Sequence, residues 1–112
     1  MFFGQPLVPS IDAAAVPADA HVLDVREPEE WAYGHIEGAQ HIPLGELAWR
    51  VAEVPADSEV YVVCKVGGRS AQAVQYLNAQ GRKAVNVDGG MLAWVEAGRP
   101  MVSETGYPPM VV

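Results

Sequence analysis

The sequence predicts an α/β domain around a mostly parallel sheet, on three observations. Short apolar runs alternate with stretches of helical period along the whole chain. One run, EVYVVC at residues 59–64, is apolar on both faces, as a strand in the middle of a parallel sheet must be. The chain of 112 residues, half of them hydrophobic, suffices for one domain with a core, near the size where burial becomes marginal.

The elements follow in chain order. In VPSIDAAA, Ser10 reads as a helix cap before a short turn of alanines. HVLDVR, residues 21–26, reads as a buried strand. EPEEWAYG then starts a helix, with Pro28 suited to its first turn, acids near its positive end and Gly34 as its stop. AQHIP is a short strand. LGELAWRVAEV is helical, with Leu44, Leu47, Ala48 and Val51 on one face. After the strand 59–64 a helix runs from Ser70 to Gln80. Ala71, Val74 and Leu77 share its face, and Gly81 ends it, with Arg82 and Lys83 near its negative end. AVNV, residues 84–87, is the last strand, and MLAWVEAG the last helix, ended by Gly98. Residues 1–100 make the domain. Residues 101–112, MVSETGYPPMVV, read as an extended tail whose apolar end docks on the domain or on a second subunit.

Charge and composition narrow the function. Residues 1–60 hold 11 acids and 2 bases, a net of -9; residues 61–112 hold 3 acids and 5 bases, a net of +2, and together these give the -7 of the chain. An acidic protein without a basic stripe is a poor nucleic-acid binder, while the mildly basic half can attract a small anion. No apolar run approaches the roughly 20 residues of a membrane span. The start, MFFGQPLVPSID, lacks the basic and apolar regions of a signal peptide. A single cysteine forms no internal disulfide. A cytoplasmic protein is expected.

That cysteine, Cys64, ends the strand best suited to the centre of the sheet, where open α/β sheets bind ligands. The turn after it, KVGGR, carries two glycines and two cations. Such a turn can aim successive N–H groups at one spot above a helix N-terminus. A lone cysteine at a strand end is commonly just a small buried hydrophobe, but that role has no use for this turn. A thiolate does. Lowering a thiol pKa by two units takes about 2.7 kcal/mol. A helix terminus supplies roughly 0.3–1 kcal/mol, and each hydrogen bond to a charged acceptor roughly 1.5–3 kcal/mol. Several N–H groups with Arg69 or Lys65 reach that total; the helix dipole alone does not.

The loop CKVGGRS, residues 64–70, resembles the C-x-x-G-x-R-[SA] active-site loop of the single-domain rhodanese-like sulfurtransferases at every fixed position. DVREPEEWAYGHIEGAQHIP (24–43) is similar to the family's D-V-R segment followed by G-H-I-x-G-A-x-x-I-P. DGGMLAWVEAGRP (88–100) is similar to its G-G-x-x-x-W segment ending in G-x-P. The segments occur in the family's order and span residues 24–100. The resemblance implies a rhodanese-like fold with a five-stranded, mostly parallel sheet flanked by helices. It implies that Cys64 attacks the outer sulfur of thiosulfate or a similar donor and holds a persulfide. Cyanide, a thiol or a partner protein then takes the sulfur. Arg69 and the N–H groups of the loop, Lys65, Val66, Gly67, Gly68 and Ser70, would hold the thiolate, the persulfide and the anionic donor. Ser70 would start the helix with its N–H turned into the cradle.

Other readings weigh less. Phosphatases on this fold use C-x-x-x-x-x-R, one residue longer than the C-x-x-x-x-R here, and a wider cradle suits a tetrahedral phosphate. A persulfide carrier loaded by a partner, or a binding module that keeps only the fold, are the rivals from other classes; the intact loop argues against the module. With no second cysteine, the acceptor must be external. Arg26 is expected to be held by the Asp24 carboxylate and to organise loops. His35 and His41 lack the spacing of a zinc site and read as structural, so neither metal nor cofactor is expected. Trp31, Trp49 and Trp94 are expected in the core or at its margins. Asp88 with Gly89 and Gly90 reads as a turn. Glu27, Glu29 and Glu30 read as a solvated helix start.

Overall fold

A computed structural model describes residues 7–112; part of the segment MFFGQPLVPSID read above, residues 1–6, lies outside them. Five strands alternate with helices: β1 (Ser10–Asp12), β2 (His21–Asp24), α1 (Pro28–Tyr33), β3 (Gln40–His41), α2 (Leu47–Arg50), β4 (Glu59–Val63), α3 (Gly68–Ala79), β5 (Lys83–Asp88) and α4 (Gly90–Glu96). Short 3-10 turns at Ala13–Ala15, Leu44–Glu46 and Val51–Glu53 complete the set. The sheet runs β1-β5-β4-β2-β3 and every pairing is parallel. β4 is central, as its two-sided apolar pattern requires.

Alternation along β4 divides the core in two. Val60 and Val62 join Leu23, Ile42, Leu47, Val74 and Leu77 on the face covered by α2 and α3. Tyr61 and Val63 join Val22, Val87, Met91 and Trp94 on the face covered by α4. Cys64 keeps the parity of Val60 and Val62, so it belongs to the α3 side. At the strand ends the chain continues in sheet-like fashion, with Val25 N–H donating to the Val63 carbonyl at 3.1 Å.

Four expectations are corrected. Ser10 caps no helix; it opens β1, which pairs Ser10 with Asn86 on the edge of the sheet. Three residues of mixed burial give too short a run to carry a strand period. The helix after the loop begins at Gly68, not Ser70, because Gly67, at φ 113°, takes the capping place. The segment 44–53 is helical throughout but broken into 3-10 and α pieces, and Ala48 is exposed rather than on the buried face. Trp49 is 74% exposed and packs in no core, whereas Trp94 is buried and Trp31 stacks on His35 at 3.6 Å between ring centroids.

The tail returns to its own domain. Val102 and His35 form an antiparallel bridge, His35 N–H donating at 2.9 Å and Val102 N–H at 2.8 Å. Met110 N–H donates to the Tyr33 carbonyl at 3.0 Å, and Met101 and Val111 pack on the α4-side core. No helix among the described residues is long and apolar enough to cross a membrane.

Candidate active site

Cys64 is 1% exposed, at the C-terminal end of the central strand and below the first turn of α3. The parallel sheet delivers it there, since β4 ends as the chain must turn over the sheet edge into α3. Gly67 makes that turn possible. Its φ of 113° lies in the left-handed region, open to glycine and strained for other residues. The turn brings the Gly67 N–H to 3.1 Å from Cys64 Sγ. The first N–H groups of α3 face the same end of the helix without intrahelical partners. Val66 stands 59% exposed at the tip of the loop, and Lys65 and Gly68 are half-buried.

The floor of the loop is polar and closed. Ser70 Oγ lies 3.3 Å from Cys64 Sγ and 2.6 Å from Asn86 Oδ1, and Asn86 Nδ2 donates to the Gly67 carbonyl at 3.3 Å. Ser70, expected to offer its N–H at the start of the helix, also brings its hydroxyl to the sulfur from the third position of α3. Asn86 escapes a sequence reading because AVNV counts as a strand whatever its third residue does. The one signal is an amide inside an otherwise apolar run.

Arg69 does not stand free over the cysteine. Its Nη1 and Nη2 donate to Glu30 Oε1 and Oε2 at 2.7 and 2.9 Å. Glu30 is therefore no solvated acid, and this corrects the reading of the acidic run. The same carboxylate accepts the Glu27 N–H at 3.0 Å and so caps α1 as well. The Arg69 hydrogen bonds, with help from the Glu27 N–H, hold the Glu30 carboxyl down to about 2 against partial burial. Glu30 in turn raises the Arg69 pKa. The anionic run at the start of α1 offered a hint in its E-x-x-E spacing, but not the partner, which lies 39 positions on.

Two further groups tie the neighbouring elements together. Asp24 and Arg26 form a buried pair, with Nε donating at 2.9 Å and Nη2 at 2.7 Å. Arg26 Nη2 also donates to the Gly34 carbonyl at 2.8 Å, which ties the end of β2 to the end of α1. His41 Nε2 meets the Arg26 carbonyl at 2.8 Å, and His35 Nδ1 meets the Trp31 carbonyl at 2.8 Å. Both histidines thus serve the scaffold. On the other side Met91 N–H donates to the Cys64 carbonyl at 2.8 Å and Leu92 N–H to that of Lys65 at 3.2 Å.

Fold and site together define a small α/β domain built around one buried cysteine, held in a glycine turn above a helix N-terminus. The chain belongs to the rhodanese-like domain family, which matches residues 11–97. It is 40% identical over 82 residues to the putative sulfurtransferase YtwF of Bacillus subtilis, covering 73% of this chain and 80% of that protein. It is 38% identical over 89 residues to a sulfurtransferase of Allochromatium vinosum, covering 79% and 83%. The thiosulfate sulfurtransferase GlpE of Pseudomonas aeruginosa is 38% identical over 76 residues, covering 67% of this chain and 69% of that one. Among solved structures, a rhodanese-related protein of Thermoplasma volcanium superposes with a TM-score of 0.81 at 39% identity, covering 85% of this chain and 98% of that one.

Proposed function

We propose that the protein is a sulfurtransferase that carries sulfane sulfur on Cys64, with thiosulfate as its donor. The observation that carries this reading is the Gly67 N–H at 3.1 Å from Sγ, in a loop whose neighbouring N–H groups are free at the start of α3. A sulfur anion held there is stabilised by fixed dipoles that need no rearrangement. The sulfurtransferase relatives support a sulfur-transfer role, and the name of GlpE supports thiosulfate.

The chemistry balances in two steps. The Cys64 thiolate attacks the sulfane sulfur of thiosulfate; an S–S bond forms to Sγ, the S–S bond of the donor breaks, and sulfite leaves with its electron pair. The outer sulfur of the persulfide now bears the negative charge. A thiophilic acceptor then attacks that outer sulfur: cyanide leaves as thiocyanate, or a thiol of a small molecule or a partner protein leaves as its persulfide. Cys64 returns as thiolate. Nucleophilic catalysis of this kind needs no proton shuttle once the thiolate exists. Arg69 and Lys65 draw the dianion to the loop, and the N–H groups of residues 65–68 and 70 receive the charged sulfur.

Intact mass spectrometry after brief incubation with thiosulfate tests the reading. One added sulfur that cyanide removes is the expected result, and Cys64→Ser protein of unchanged fold is expected to gain none. A Cys64→Ser protein that still accepts sulfur overturns the assignment. If wild-type protein stays unloaded by thiosulfate but is loaded by a persulfide donor, the donor is wrong and the protein is a carrier.

A further inference from the structure

Below the loop the hydrogen bonds close into a ring that begins and ends on the sulfur. It runs from Cys64 Sγ to Ser70 Oγ at 3.3 Å, to Asn86 Oδ1 at 2.6 Å, and from Asn86 Nδ2 to the Gly67 carbonyl at 3.3 Å. The Gly67 N–H returns to Sγ at 3.1 Å. Cys64, Ser70 and Asn86 are 1%, 0% and 2% exposed, so the ring lies within the protein interior.

The ring has a direction. The Gly67 carbonyl only accepts, so the NH2 end of Asn86 faces it and the amide oxygen faces Ser70. Ser70 has one hydroxyl proton and two acceptors, Asn86 Oδ1 and Sγ. The 2.6 Å contact to the amide oxygen takes that proton while the sulfur is neutral. Ser70 Oγ then turns a lone pair to Sγ and accepts from the S–H. A charged sulfur reverses this: a lone pair facing it at 3.3 Å repels it, and the proton must swing to Sγ at the cost of the bond to Asn86.

We propose that Asn86 is a positioning residue for the nucleophile: by competing for the one proton of Ser70 it favours a neutral Cys64 Sγ over a charged one. On the sulfur-transfer reading, which this inference deepens, the persulfide gains most. Its negative charge lies on the outer sulfur, its inner sulfur is neutral, and the Ser70–Asn86 bond is whole again. The device opposes the bare thiolate and favours the loaded cysteine.

The test uses no sulfur donor, so its failure and that of the sulfur-transfer reading are separable. The rate of Cys64 alkylation by iodoacetamide at fixed neutral pH is measured in wild type, Asn86→Leu, Ser70→Ala and the double variant. Asn86→Leu frees the Ser70 proton for the sulfur, and about three- to tenfold faster alkylation is expected, the worth of one hydrogen bond. In the Ser70→Ala background the same substitution is expected to give no acceleration. Arg69, Lys65, Glu30 and the Asp24–Arg26 pair, the charges around the loop, are unchanged in every variant. An Asn86→Leu protein of native circular dichroism with unaltered or slower alkylation overturns the proposal, as does equal acceleration with and without Ser70. A second readout stands on wild type and Ser70→Ala alone, should Asn86→Leu not fold. The infrared S–H band of the single cysteine is expected at lower wavenumber in wild type than in Ser70→Ala, and coincident bands overturn the proposal.

Discussion

Glu30 shows how far one carboxylate can be committed. It accepts two guanidinium hydrogen bonds from Arg69 and one from the Glu27 N–H, and its pKa falls from 4.5 to about 2. A carboxyl whose folded pKa is depressed contributes stability that is present in full above its unfolded value and is lost as pH falls through the folded one. For Glu30 that window runs from 4.5 down to about 2. Glu30→Gln is therefore expected to lower the urea midpoint at neutral pH, with the gap from wild type closing between those values. A gap that persists undiminished at the acid end counts against the pair. Arg69→Ala is expected to reproduce the same closing gap, because it removes the first cause of the shift. The Asp24–Arg26 pair was legible in the sequence because its members lie two apart at a strand end. Glu30 was not, because acids in the first turn of a helix already have a sufficient local reason in the helix dipole, and chain order says nothing of a partner on α3. Trp49 was misjudged for a like reason: size and apolarity favour burial, but α2 is a single turn between two 3-10 turns and gives it no wall to pack against.

At the scale of elements, the start of α4 braces the cysteine loop. Its first N–H groups, from Met91 and Leu92, take the carbonyls of Cys64 and Lys65. That contact requires backbone against backbone. A Cβ at Gly90 would stand 2.6 Å from the Lys65 carbonyl carbon, and its φ of 58° is left-handed. Gly90→Ala is expected to cost about 2 kcal/mol or more, the sum of a strained backbone and a displaced loop. Its loss of sulfur transfer is expected to exceed what the unfolded fraction explains, because the displaced carbonyl is that of Cys64 itself. Urea unfolding and transfer rate measured on the same preparation check this; full specific activity per folded molecule would refute the coupling. The sequence disclosed α4 and its glycine turn, but a turn residue does not announce what it approaches. β2, β4 and β5 were read from their apolar runs and the short β3 within AQHIP, while β1 was missed because Ser10–Asp12 alternates too briefly to carry a period. The start of α3 was read two residues late, since a glycine in the left-handed region caps the helix where a serine was the more familiar sign.

Across the whole molecule, the tail and the cysteine loop meet through α1. The end of α1 is fixed from two sides: Arg26 holds the Gly34 carbonyl at 2.8 Å, and Met110 N–H holds that of Tyr33 at 3.0 Å. His35 beyond it bridges to Val102. The start of the same helix carries Glu30, and Glu30 holds Arg69. A six-residue helix is marginal by itself, so its position depends on these attachments. Nothing in MVSETGYPPMVV gives this seat; an apolar end reads alike whether it covers its own domain or another chain, and the seat is set by partners distant in sequence. Removal of residues 101–112 takes away the two bonds to His35, those from the Glu104 and Met110 N–H groups to the Ala32 and Tyr33 carbonyls, and the packing of Met101 and Val111 on the core. The melting temperature of the truncated protein is expected to fall by on the order of 10 °C. The truncation is also expected to weaken the acid-sensitive part of stability assigned to Glu30, since a loosened α1 no longer presents that carboxylate squarely to Arg69. Thermal unfolding of both chains across the acid range separates the two effects. A lower melting temperature with an unchanged acid limb would leave the tail as a cover for the core alone, and an unchanged melting temperature would deny it even that.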